Sequence, residues 1–355
     1  MKNYHFLILL GVLFPLTFYG QSNAALPSDC GCKVAFEQAV DKVTRIYAGF
    51  DDKVTSANRS VYEAFLKDLS EKAGKTTSKE DCRYILRQYV GFFKDSHVSV
   101  YGDWSAESPA EKKKDIPVEF KPLDKEFLYV KLPVFNIREV KTLDSLIIAN
   151  KKLLAETPYL IFDFRGNGGG DASASDEMIK LIYTHPIIYP EWQYRFSKEY
   201  IDQIESWIKE DTNNLKYAPG RALLDEMKKS PGQLAGYHGD ITITHEVTPE
   251  QYPGHIAFLI DKGCGSATEF FIFSGKQSKK VTLFGTNTHG VMDYGLTQTY
   301  GLCDGAFYMG IATGRNGWVK DFRIDNVGFE PDVRIPSHDL DWVEFVKNYY
   351  HQKKK

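Results

Sequence analysis

In this chain of 355 residues, the side chains best suited to chemistry by type and spacing lie in two glycine-rich turns. One reads Asp261, Lys262, Gly263, Cys264, Gly265, Ser266, Ala267, Thr268, Glu269. A serine that leaves a glycine turn and opens a helix has its hydroxyl at the positive end of the helix, which favours an alkoxide. The same serine, with Glu269 three residues on, also fits a capping box, and the two roles can coexist. The elbow of α/β-hydrolases needs glycine two residues before its serine, and Cys264 stands there instead. The other turn reads Asp163, Phe164, Arg165, Gly166, Asn167, Gly168, Gly169, Gly170 before an expected helix at 172–183. Glycines let backbone N–H groups face a cleft at a helix start, where they can hold an anion such as a developing oxyanion. A plain tight turn is the alternative. No Gly-Lys-Ser/Thr follows, so the spacing fits neither a P-loop nor a dinucleotide fingerprint.

A serine nucleophile needs a base. Of nine histidines, His97 and His289 lie beside strand ends or turns, whereas His5 belongs to the leader and His351 to the end of the chain. His185, His238, His245, His255 and His338 fall in loops with no partner motif. A lone histidine so chosen is as readily structural. Cys30, Gly31, Cys32 is too short and too isolated for a zinc site, and no metal or cofactor is expected.

These residues need elements to hold them. Phe36, Val40, Val43, Tyr47 and Phe50 recur at helical spacing within 33–50. A second helix is expected behind an Asn58 cap, and a third behind Ser78 and Asp81. Residues 96–101 then alternate as a half-buried strand does. A polar loop is expected at 103–115, strands at 116–120 and 127–132, and a helix carrying Val140 to Leu154. Tyr159 to Phe164 and Ile256 to Asp261 are apolar runs of the kind buried on both faces of a parallel sheet. Further strands are expected at 281–285 and 297–313, and an aromatic, charged insertion or lid at 191–250. Residues 341–355 read as a tail.

In order, Asp163-x-Arg165-x-Asn167-x-Gly169-Gly170, Ser266-Ala267-x-Glu269 and Gly285-x-x-Thr288-x-Gly290 resemble the signature of the S41-type serine peptidases, which include the carboxy-terminal processing (tail-specific) and tricorn proteases. The resemblance runs from about residue 95 to 336. It implies an α/β fold, a crotonase- or Clp-protease-like core at 101–340, behind a small N-terminal helical domain at 26–100. In the processing branch a lysine follows the last glycine as base; here that residue is Val291. The resemblance therefore points to the tricorn-like branch, whose base comes from an upstream turn similar to Asp95-Ser96-His97. That branch also uses a carboxylate from a stretch ending in Gly-x-x-Pro-Asp, matched by residues 324–332, with Asp325 where the family usually has glutamate. The implied site has Ser266 as nucleophile, His97 as base, Ser96 and Asp325 orienting it, and N–H groups of Gly169 or Gly170 and of Ala267 as the oxyanion hole. Thr288, Arg165, Asn167 and Glu269 read as scaffold, with Arg165 meeting a substrate carboxylate as the other possibility. Residues 101–116 are too few for the PDZ module of many processing proteases.

The implied activity is hydrolysis of peptides or unfolded protein by an exported serine endopeptidase without a cofactor. The rival is a non-catalytic ligand-binding protein on the same scaffold, which Val291, Asp325 and the 14% aromatic content would suit. A crotonase-like acyl-coenzyme A enzyme shares the fold, but an exported chain would seldom meet that cofactor. Export is expected from Lys2, the apolar run 6–18 and the small polar residues after Gly20, a removable signal at 1–20 that is too short to span a bilayer. The mature protein would be periplasmic or secreted, with no stable membrane span. The net charge of −3 and the lack of aromatics among the basic runs 112–114 and 353–355 argue against nucleic acid. Five cysteines leave at least one thiol unpaired within the chain, and Cys30 or Cys32 is expected to join Cys82.

Overall fold

A computed structural model describes residues 30–101, 116–170, 173–210, 218–236, 238–246, 252–336 and 340–353. The expected signal at 1–20 and the polar loop at 103–115 lie outside the described residues.

The N-terminal segment forms α1 (Cys32–Ile46), α2 (Phe50–Lys53), α3 (Arg59–Lys75) and α4 (Lys79–Gly91), then the short strand β1 (Ser99–Tyr101). Ser78 caps α4 by accepting from the Asp81 N–H at 3.3 Å. Asn58 does not cap α3: its Oδ1 accepts from the Thr55 N–H and closes the preceding turn. Next come β2 (Glu119–Pro122), β3 (Phe127–Lys131), α5 (Ile137–Ala149), α6 (Lys151–Glu156), β4 (Tyr159–Asp163), α7 (Asp176–Ile182) and β5 (Ile187–Tyr189). The region expected as an insertion holds β6 (Gln193–Arg195), α8 (Lys198–Glu210), α9 (Ala218–Lys229), β7 (Leu234–Ala235) and β8 (Ile241–Ile243). The chain closes with β9 (His255–Ile260), α10 (Ala267–Lys276), β10 (Val281–Gly285), β11 (Tyr294–Leu302), β12 (Phe307–Arg315), β13 (Val333–Arg334) and α11 (Trp342–Lys353).

The main sheet has the order β13-β10-β9-β4-β3-β2, parallel except for β2. Alternate residues of its strands enter different cores. Leu160, Phe162, Ile256 and Phe258 pack with α5, α7 and α10, while Tyr159, Ile161, Ala257 and Leu259 pack under α11. Covering both faces is why these strands are apolar throughout. Residues 341–355, expected as a tail, therefore contain a packed helix: Trp342, Val346 and Tyr350 are buried on the sheet.

In the second sheet β12 pairs with β1, β6 and β11, and β6 with β7. The N-terminal helices share one core with the β11–β12 hairpin, in which Phe36, Tyr89 and Phe93 pack with Leu302, Phe307 and Met309. Residues 30–100 thus share this core with the hairpin and do not close one of their own. Disulfides fasten this layer, Cys32 to Cys82 between α1 and α4 and Cys30 to Cys303 at the hairpin turn. Cys264 is the remaining thiol and is buried. The 191–250 region has its own cluster of Phe196, Tyr200, Ile204, Leu223, Leu224 and Met227. It is tied to the helical layer by Arg195–Asp51 at 2.8 Å and Arg45–Glu199 at 2.5 Å.

Candidate active site

The two glycine turns leave the carboxyl ends of the neighbouring parallel strands β4 and β9, the edge at which α/β sheets open a crevice. They are packed backbone to backbone. A Cβ on Gly263 would lie 2.6 Å from Gly166 Cα, so no side chain fits there. Buried Asn167 joins the turns. Its Nδ2 donates to Leu132 O at 2.8 Å, its Oδ1 accepts from Thr268 Oγ1 at 2.8 Å, and its carbonyl accepts from Gly265 N–H at 3.1 Å. Asp163, also fully buried, accepts from Arg165 Nε at 2.9 Å and from another guanidinium nitrogen at 2.7 Å. Burial would raise its carboxyl, but the Arg165 hydrogen bonds and charge, with Lys131 and Tyr129, hold it below the ordinary carboxylate range. The Arg165 guanidinium also stacks on Trp342 at 5.1 Å. Arg165 is thus engaged as scaffold.

Ser266 sits at the head of α10 with φ 52° and ψ −123°, a backbone region that costs a non-glycine residue about 1–3 kcal/mol. The serine packs closely on the other glycine turn. A Cβ on Gly169 would fall 2.8 Å from Ser266 Cβ and 2.9 Å from Ala267 N. Ser266 does not form the capping box that its sequence allows: α10 has no side-chain cap. Its hydroxyl is left without a hydrogen-bond partner among the described residues. Glu269, fully buried, instead accepts from Thr288 Oγ1 at 2.5 Å, Gly290 N–H at 2.7 Å and Val291 N–H at 2.9 Å. Burial raises its carboxyl above the usual range even against these donors. Thr288 Oγ1 accepts in turn from Phe329 N–H at 2.8 Å. The third motif is therefore folded around Glu269. A Cβ on Gly265 would meet Val291 Cγ2 at 3.2 Å and His289 Cβ at 3.5 Å, so this motif flanks the serine turn. Val291, which follows the last glycine of this motif, therefore puts a methyl group beside the serine turn.

Of the expected oxyanion donors, Gly169 is already committed, because its N–H donates to Asn167 Oδ1 at 3.0 Å. The N–H groups of Gly170 and Ala267 have no acceptor among the described residues. Gly170 is held by its backbone surroundings, since a Cβ there would lie 2.3 Å from Phe135 O.

His97 follows a turn built by buried Asp95, whose Oδ1 accepts from the His97 backbone N–H at 2.9 Å. The same oxygen lies 3.5 Å from His97 Nδ1, a spacing too loose for a well-formed hydrogen bond, and Nδ1 has no other partner. Tyr47 donates to Asp95 Oδ2 at 2.8 Å. Burial would raise Asp95, but its bonds and charge interaction with His97 and the Tyr47 hydroxyl outweigh this and lower it. Ser96 and Asp325, expected to orient His97, make no hydrogen bond to it. Ser96 is exposed, and Asp325 is ion-paired to Lys53 of α2. Burial pushes the Asp325 carboxyl up to about 6, with Lys53 opposing and the carboxylates of Asp95 and Asp293 adding to the rise. Asp293, fully buried, anchors the Asp325 loop by accepting from Trp318 Nε1 at 2.8 Å and from Asp325 N–H at 3.1 Å.

His97 and Ser266 are not hydrogen-bonded to each other. The loop 324–328 links their supports: Asn326 N–H donates to Gly290 O at 2.8 Å, and Asn326 Nδ2 donates to Lys94 O at 2.8 Å, one residue before Asp95. The sequence reading missed Asp95, Lys53 and Asp293. For Asp95 the signal was present in the Asp-x-His turn, since aspartate readily accepts from the backbone N–H two residues on. Lys53 and Asp293 gave none, because their partners are distant in the chain. Lys262 was missed too; its Nζ donates to Thr288 O at 3.1 Å and fastens the third motif.

The motifs are thus assembled around one serine, and a family model named "Peptidase family S41" matches residues 126–335. The chain belongs to this family. It is a serine peptidase with an α/β core and an N-terminal helical region. Solved structures agree on the fold. Mature CPAF complexed with lactacystin is 12% identical, with a TM-score of 0.62 over 91% of this chain and 98% of that one. A lipoprotein from Streptococcus agalactiae is 14% identical, with a TM-score of 0.52 over 93% and 100%. No curated protein matches the chain. Among the described residues, no helix is long and apolar enough to cross a membrane, and no cluster of side chains could hold a metal ion.

Proposed function

We propose that this S41 peptidase is an exported endopeptidase that cleaves peptides or unfolded protein through an acyl-enzyme on Ser266, with His97 as base. The observation that carries the reading is the unengaged hydroxyl of Ser266, held at φ 52° on the head of α10 and against Gly169. His97, with Nδ1 facing Asp95, takes the Ser266 proton through Nε2 as Oγ attacks the scissile carbonyl carbon. The imidazolium formed is stabilised by Asp95. The oxyanion is received by the N–H groups of Gly170 and Ala267, at the positive end of α10. On collapse His97 returns the proton to the leaving amine, and water repeats the sequence to free the acid. Catalytic hydrogen bonds are often loose until substrate binds, so the Ser266–His97 bond is expected to form in the complex.

Export is supported by the two disulfides, which persist in oxidising compartments, and by the signal pattern at 1–20. The test is cleavage of an unfolded protein by the mature chain beside Ser266→Ala and His97→Ala. Both variants should lose activity; retention of full activity in either would overturn its assigned role. A mature N-terminus found at Met1 after secretion-competent expression would contradict the processed signal.

A further inference from the structure

The N-terminal helical layer delivers a charged side chain to the site. Lys53 ends α2, and its Nζ pairs with Asp325 while lying 5.4 Å over the Tyr294 ring. The pair is largely shielded, with side-chain exposures of 16% for Lys53 and 9% for Asp325. Around Asp325 stand Asp95 from the turn after α4, Asp293 from the segment before β11, and the hydroxyls of Tyr47 and Tyr294. Lys53 is the cation among these groups, since Arg315 and Arg323 are spent on Asp52. Without it, the Asp325 carboxylate would sit in a poorly solvated space beside those of Asp95 and Asp293 with no ion-pair partner of its own.

We propose that Lys53 is a positioning residue for the peptidase site, its ammonium group holding the Asp325 carboxylate beside the Asp95–His97 pair. The inference rests on His97 acting as base. Lys53 touches neither Ser266 nor His97; it acts through Asp325, which lies on the loop that joins the third motif to the His97 turn. The helical layer is thereby a working part of the site. A buried ion pair that loses one partner leaves an uncompensated charge, and here that charge is relieved by protonation of Asp325.

The experiment is the pH profile of kcat and KM for the full mature chain on an unfolded protein. Lys53→Met, Lys53→Arg, Asp325→Asn and the Lys53→Met/Asp325→Asn double variant are compared. Lys53→Met should move the acid limb up by about one pH unit, lowering kcat about twofold at pH 7 and about fivefold at pH 6, with KM within twofold. Lys53→Arg should restore most of kcat and the wild-type limb. In the Asp325→Asn background Lys53→Met should have no further effect on kcat. An unmoved acid limb, or additive losses in the double variant, would overturn the proposal. Should Lys53→Met fail to fold, Lys53→Arg and the double variant decide it: an arginine variant that folds yet loses the profile contradicts the assignment. Activity surviving in His97→Ala would mark failure of the underlying catalytic reading instead.

Discussion

Replacing Glu269 by alanine should both destabilise the fold and disable the site. Its carboxylate accepts from two backbone N–H groups, those of Gly290 and Val291, and from the Thr288 hydroxyl, all within 2.9 Å and away from solvent. The hydroxyl can turn to another acceptor, but the two N–H groups cannot. Each orphaned donor costs ~1–3 kcal/mol, or ~2–6 kcal/mol for the pair. Removing a carboxylate that burial disfavours returns part of this, as the upward displacement of its titration shows. A net loss of about 3 kcal/mol is expected, and about 1 kcal/mol for Glu269→Gln, which keeps one acceptor oxygen. Because this motif flanks Gly265, kcat should fall with stability. Urea unfolding followed by fluorescence, beside turnover on an unfolded protein, measures both. A Glu269→Ala variant within 1 kcal/mol of wild type and with unchanged kcat would refute the claim that Glu269 organises the serine turn's neighbour.

Asp95→Asn should lower kcat ~10²–10⁴-fold with a small change in KM, because the asparagine cannot stabilise a His97 imidazolium. Its stability cost has a definite sign with pH: the lowered carboxyl contributes above the usual value of about 3.9 and loses that contribution as pH falls through its folded value, so the cost shrinks below about pH 4. Peptidase activity should fall as pH drops through about 6, where Asp325 takes up a proton, and a profile flat to pH 5 would contradict this. Cys32→Ser/Cys82→Ser should lose ~2–4 kcal/mol in urea titration, since this bridge spans 50 residues; a loss under 1 kcal/mol would show that packing alone fixes α1 to α4.

The parts of the fold legible in the sequence were those with local causes. Tyr159–Phe164 and Ile256–Asp261 read as buried strands because both faces are covered, and Ser78 announced its helix by a cap that the structure contains. The scaffold roles of Arg165, Asn167, Thr288 and Glu269 followed from the motifs that hold them. What escaped depends on contacts between distant segments. Asn58 resembles a cap but bonds to Thr55, Trp342 begins a helix that has meaning only against the sheet, and Cys303 lies 273 residues from its partner. Ser266 and Glu269 fit a capping box by spacing, yet the glutamate is drawn to the N–H groups of Gly290 and Val291. Between Gly169 and Gly170, which the sequence left open, the Gly169 N–H is taken up by one Asn167 oxygen, which no pattern of glycines could disclose.

Reaction of the mature protein with a fluorophosphonate, followed by peptide mass mapping, tests the central claim most directly. An activated serine displaces fluoride and keeps the phosphonyl group. The account predicts a single adduct on Ser266, formed in step with loss of peptidase activity and much slower in His97→Ala. An adduct on another serine, or complete inhibition with Ser266 unmodified, would contradict it.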